Sequence, residues 1–65
     1  MHIRPTLAVW MKSQGLSDTQ LAAAVGLSVD AIRKAKAGKP ITRDTARKIC
    51  KALDITLSDI EGLNY

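Results

Sequence analysis

Residues 19–37 read TQLAAAVGLSVDAIRKAKA, and the way this stretch folds decides the architecture. It holds two short helical patterns joined only by Val25, Gly26, Leu27 and Ser28. Just upstream, Ser17-Asp18-Thr19-Gln20 has the form of a capping box, in which the Ser hydroxyl takes the third amide of the helix and the Gln side chain reaches back. Leu16 and Leu21 stand at hydrophobic-staple positions across that start. The pattern predicts a helix over about 18–25 that buries Leu21, Ala22 and Val25, with Gly26 where a left-handed residue ends it. Ser28 then caps a further helix over about 29–37, with Asp30 near the positive end of its dipole and Leu27 and Ile32 repeating the staple spacing. Gly38 and Pro40 end that helix.

So short a joint excludes antiparallel side-by-side packing, and the two helices must cross steeply. Ala22 has to be small because the later helix crosses over it, Gly26 supplies the positive φ of the turn, and Ile32 packs back between the two. This is the geometry of a helix-turn-helix over about 18–37, in which the first helix braces and the second is free to enter a major groove. With Ile32 and Ala35 inward, the outer side of the second presents Ser28, Val29, Asp30, Arg33, Lys34 and Ala37.

Helix signals continue on both sides of this core. Pro5 suits the first turn of a helix over about 5–14, with Leu7, Trp10, Met11 and Gln14 at helical spacing and Gly15 as its stop. Thr42 caps a fourth helix whose Ala46, Ile49, Cys50 and Leu53 form an apolar stripe, while Arg43, Arg47, Lys48 and Lys51 take other faces. Thr56 with Asp59, and Ile55 with Ile60, predict a short fifth helix near 57–62. No long alternating Val/Ile/Thr run suggests a strand, and no linker divides the chain. The expected fold is all-α: one compact five-helix domain over residues 1–65.

Composition narrows the function classes. At 65 residues, 46% of them hydrophobic, a single core is marginal, and one Cys and one His provide neither a disulfide framework nor a structural zinc. Stability is expected from helix packing, self-association or both. No apolar run approaches the roughly 18 residues of a membrane span, the N-terminus lacks a signal-peptide core, and a lone Cys50 fits a reducing compartment; the expected location is cytoplasmic. Ten Lys or Arg face six Asp or Glu, giving a formal charge of +4. Residues 33–51 concentrate eight of the bases against Asp44 alone, whereas Asp54, Asp59 and Glu61 make the tail acidic. A basic middle of this kind suits a polyanion, although solvated helix faces would give the same count.

The candidate base readers are Val29, Asp30, Arg33 and Lys34. Lys34 has the chemistry to donate to guanine O6 and N7, Asp30 to accept from cytosine N4, and Val29 to pack on a thymine methyl. The competing readings are that Asp30 only stabilises the helix start and that Val29 is half-buried. Candidate phosphate binders are Ser28 with the nearby amides, Lys39, Thr42 and Arg43, and Arg4 is a weaker one on an N-terminal arm. Cys50 reads as a small buried hydrophobe and Trp10 as a core or oligomer contact. The sole His2 and sole Cys50 lie in unrelated segments, and no metal-ligand spacing or phosphate-cradling Gly loop appears, so neither an enzyme, a cofactor, a metal nor a small-molecule ligand is expected. Gly38 and Pro40 interrupt the basic run, which disfavours a membrane-surface helix.

Gly15 to Ala22, Val25-Gly26-Leu27-Ser28, Ile32, Gly38-Lys39 and Ala52 to Leu57 match, in order and spacing, the lambda-repressor-like group that includes the Cro and C1 repressor domains. The chain resembles that family over nearly its whole length. The resemblance implies a five-helix domain that binds double-stranded operator DNA as a two-fold homodimer, with Arg47, Lys48 and Lys51 away from the groove. It also implies a bacterial or phage source and a repressor; that no sensor, protease or ligand domain is read from the sequence favours control by protein concentration, as in Cro-like proteins. Three departures stand out. Many relatives start the second helix with a phosphate-clamping Gln, where this chain has Asp18, a residue suited to the helix dipole instead. Several carry an Arg–Glu pair where this chain has Met11 and Lys36, and a larger apolar residue where it has Ala35.

One reading helix covers few base pairs, so specificity requires two half-sites roughly 34 Å apart and hence a dimer. Leu57, Ile60, Leu63 and Tyr65 are the candidate interface, with the alternative that Leu57 and Ile60 close the monomer core. The rival function is a protein-interaction module, such as an antitoxin component that neutralises a partner protein.

Overall fold

The computed structural model describes residues 4–65, and His2 lies outside the described residues. Four α-helices succeed one another: α1 (Leu7–Ser13), α2 (Asp18–Val25), α3 (Val29–Lys36) and α4 (Arg43–Ala52), and then a single 3-10 turn, Leu57–Asp59. No strand forms among the described residues.

Each of α2, α3 and α4 starts where its cap dictates. The Ser17 hydroxyl accepts from the Gln20 amide at 3.1 Å while the Gln20 side chain accepts from the Ser17 amide at 2.9 Å, which completes the capping box. Ser28 accepts from the Ala31 amide at 3.2 Å, and Thr42 from the Thr45 amide at 3.1 Å. Gly26 ends α2 in the left-handed region, at φ 72° and ψ 30°, and turns the chain into α3 within three residues.

The first helix is shorter than the Pro5 signal predicts. Thr6 is extended and makes no side-chain cap, its carbonyl accepts the first helical bond from the Trp10 amide at 3.0 Å, and Pro5 stays outside the helix. The Pro5 carbonyl accepts from the Glu61 amide at 3.0 Å instead, so the chain there is pulled toward the C-terminal tail.

The expected fifth helix over 57–62 does not form. Thr56 and Asp59 make the predicted box, with the Asp59 carboxylate accepting from the Thr56 amide at 2.9 Å and from its hydroxyl at 3.0 Å, but only one 3-10 turn comes after it. Ile60 is already extended at φ −126° and ψ 146°. The tail then runs as a strap, pairing Glu61 with Thr6 and Asn64 with Pro40 in isolated bridges and accepting the Ile41 amide at the Asn64 carbonyl at 2.8 Å. Backbone donors outside the helices find partners this way, which is why extended chain wins over another helical turn.

Leu7 and Met11 of α1, Leu21 and Ala22 of α2, Ile32 and Ala35 of α3, and Ile49, Cys50 and Leu53 from α4 and its end form one core, closed by Ile60. Ala46 is also buried. Ile60, one of the four interface candidates, thus belongs to the monomer interior at 4% exposure, as the core alternative required. Leu57 and Leu63 are half-buried against the same core. Two long-range bonds fasten the shell: the Gln14 amide group donates to the Leu53 carbonyl at 2.7 Å, and the Trp10 indole to the Asp59 carbonyl at 3.1 Å. Trp10 therefore packs on the core with its polar edge satisfied. Burial raises the Cys50 thiol above its ordinary value, with the Asp59 carboxylate adding to the effect, so the thiol stays protonated at neutral pH. No helix among the described residues is long and apolar enough to cross a membrane.

Candidate nucleic-acid interface

The α2–turn–α3 unit fixes the site from below. Ile32 and Ala35 are buried at 0% and 2% exposure, so α3 can present only its other side. Asp30, Arg33, Lys34, Ala37 and Lys39 line an open groove on that side. All five are exposed. Lys39 lies beyond the end of α3; its amide donates to the Lys34 carbonyl at 3.0 Å, which folds the loop back over the helix end and brings its side chain into the same groove.

The eight candidate contact residues separate by environment. Arg33 and Lys34 extend from the last turn of α3 into the groove, and Asp30 stands in the first turn. Val29 is half-buried against the core, in line with its competing reading, and does not line the groove. Ser28 spends its acceptor on the Ala31 amide, which leaves its hydroxyl hydrogen to donate outward. Thr42 is more fully engaged: its oxygen accepts from the Thr45 amide and shares a 2.8 Å hydrogen bond with the Thr45 hydroxyl. Arg43 is exposed at the start of α4, outside the groove lining. Arg4 is exposed as well.

Asp18 has a larger role than the helix dipole. Its carboxylate accepts from Lys36 Nζ at 2.9 Å and stands 3.8 Å from Arg33 Nε, so the first residue of α2 is tied to the last turns of α3. Lys36 is thereby drawn toward α2, leaving Arg33, Lys34 and Lys39 as the cations of the groove. Sequence reading missed this pairing because nothing local links positions 18 and 36; it depends on how the two helices cross. Further along the chain, Lys48 pairs with Asp44 at 3.4 Å one turn away, and Arg47 and Lys51 border a separate groove with Cys50, Ile55 and Leu57. Of the interface candidates, Tyr65 is the exposed one, at 52%. Among the described residues no group of His, Cys, Asp and Glu could hold a metal ion.

Comparison with known families identifies the unit. A family model described as the Cro/C1-type HTH DNA-binding domain matches residues 6–64, from the residue before α1 to the tail strap. No curated protein and no solved structure matches the chain. The matched range takes in all four helices and the α2–turn–α3 crossing on which the exposed basic groove depends. By sequence, and in agreement with its architecture, the chain belongs to the Cro/C1-type helix-turn-helix DNA-binding domains.

Proposed function

We propose that this DNA-binding domain is a sequence-specific transcription regulator that acts as a repressor by occupying a two-fold operator, with α3 in the major groove. The observation that carries this reading is the groove along α3. It is lined by Arg33, Lys34 and Lys39 together with Ala37, and Asp30 is the one acidic side chain in that lining. Long cations around a helix of eight residues are suited to base edges flanked by phosphates. In this arrangement Lys34 and Arg33 read guanines, Asp30 accepts from a cytosine amine, and Val29 offers a methyl contact only at the margin. Lys39, Ser28 and Arg43 take phosphates, and Thr42 serves its helix first. Two copies cover the operator, meeting through Tyr65 with support from Leu63 and Leu57, and the protein, bacterial or phage-encoded, works in the cytoplasm at a level set by its own synthesis.

Binding to duplexes from the DNA flanking its own gene, measured against random duplexes over a series of salt concentrations, tests this reading. Lys34→Ala is expected to flatten the preference between the two. Lys39→Ala should weaken all duplexes alike and reduce the slope of log K against log salt by about 0.9, the loss of one phosphate contact. Equal affinity of the unmodified protein for every duplex would overturn the operator model.

A further inference from the structure

Asp18 is the one acid among the described residues that pairs with cations of α3, and it holds two of them. The two contacts differ in kind. The Lys36 side chain is 33% exposed and donates a short hydrogen bond, so it is committed to the carboxylate. Arg33 is 68% exposed and approaches through Nε at 3.8 Å, too far for a hydrogen bond, which leaves its two terminal nitrogens available. Those terminal nitrogens are the ones that form a fork on guanine or phosphate. Arg33 also lines the α3 groove, beside Lys34 and Lys39. It therefore lies between a carboxylate on α2 and the surface to which DNA is proposed to bind.

We infer that Asp18 is a specificity-determining residue of this domain: it withholds Arg33 and Lys36 from indiscriminate phosphate binding and holds Arg33 at the groove for base contact. The inference rests on the DNA-reading function proposed for α3. A free Arg33 on a flexible stem would track any phosphate within reach, and a free Lys36 would add to the field over any duplex. With the carboxylate in place, random DNA gains from neither cation at full strength. The chain gives up affinity that does not depend on sequence, and the difference between the operator and other DNA widens.

The test is Asp18→Asn, which keeps size and shape and removes the charge. Affinity for a random duplex is expected to rise at least threefold at low salt, and the slope of log K against log salt to steepen by about 0.9 for each cation released. The ratio of operator to random affinity should fall. A double-mutant cycle with Arg33→Gln isolates the pair: the gain in random-duplex affinity from Asp18→Asn should shrink by at least twofold when Arg33 is already absent. Circular dichroism and the melting midpoint report on folding separately, and Asp18→Glu, which keeps the charge, should retain most of the discrimination.

Unchanged random-duplex affinity and salt slope in a folded Asp18→Asn protein would overturn the inference, as would strict additivity in the cycle. Both outcomes would leave Asp18 as a structural tie between α2 and α3. Should the unmodified protein bind its operator and Lys34→Ala relax the preference while Asp18→Asn changes nothing, this inference alone falls. Absence of duplex binding by the unmodified protein removes the function and the inference together.

Discussion

Replacing Gly26 by Ala isolates the cost of the turn that makes the fold. Gly26 sits at φ 72° and ψ 30°, and a Cβ built on it meets nothing within 4 Å. Steric conflict with the rest of the protein is therefore absent, and the penalty is that of forcing an L-residue into the left-handed region, about 1–2 kcal/mol. A domain of 65 residues has a total stability of roughly 3–10 kcal/mol at 0.05–0.15 kcal/mol per residue, so the loss is a sizeable fraction of the whole. At about 4–8 °C per kcal/mol for a domain this small, the melting midpoint should fall by about 4–16 °C. Urea titration should show a lower midpoint with an unchanged slope, since the surface exposed on unfolding is the same. Gly26→Asn should lose less than Gly26→Ala, because Asn tolerates the left-handed region better. Equal losses for the two, or a neutral Ala, would mean that the joint relaxes into another conformation and that the positive φ does not hold α3 in place.

Ile32→Ala removes a side chain that is 0% exposed and anchors α3, and should destabilise the domain by about 2–5 kcal/mol, measured by the same urea titration; a loss below about 1 kcal/mol would show that α3 is held elsewhere. Asp59 has its carboxyl pKa held below the ordinary aspartate value by hydrogen bonds from the Thr56 amide and hydroxyl. Because the folded value is the depressed one, its contribution to stability is present above the unfolded-state value and fades as pH falls through the folded one. Thr56→Val, which keeps the amide and removes the hydroxyl, should move the Asp59 carboxyl titration seen by NMR upward toward free aspartate.

Local chemistry made most of the fold legible. Ser17, Ser28 and Thr42 each declared a helix start, and the structure begins α2, α3 and α4 on the next residue. Leu21, Ala22, Ile32, Ala46, Ile49, Cys50 and Leu53 were readable as core from their spacing and are buried. The end of the chain was not legible. Thr56 and Asp59 carry a helix-start signature, and Ile60 repeats the staple, but the conformation of the tail beyond them is settled by backbone partners at Pro5 and Ile41, far away in sequence. The shorter α1 has the same origin, since the Pro5 carbonyl is used by Glu61. Lys34 and Arg33 could be named as contact candidates because the turn fixes which side of α3 is bare, and Lys39 because it stands in the loop that follows. The tie from Asp18 to Lys36 could not, because ion pairs across a crossing depend on an angle that no local pattern encodes.

The tail strap grips two places at once. Glu61 holds the residues before α1, and Asn64 holds Pro40 and Ile41, immediately after Lys39. With its amide bonded to Lys34 on one side and its neighbours stitched to the tail on the other, Lys39 stands on backbone that has already lost most of its freedom. A cation mounted so surrenders little backbone entropy on meeting an anion, whereas the same lysine on an unanchored loop would have to have its backbone ordered by the encounter as well. The last few residues thus act as a brace for a lysine whose neighbours they hold, and clipping them should weaken the phosphate contact proposed for that lysine while leaving the side chain itself intact.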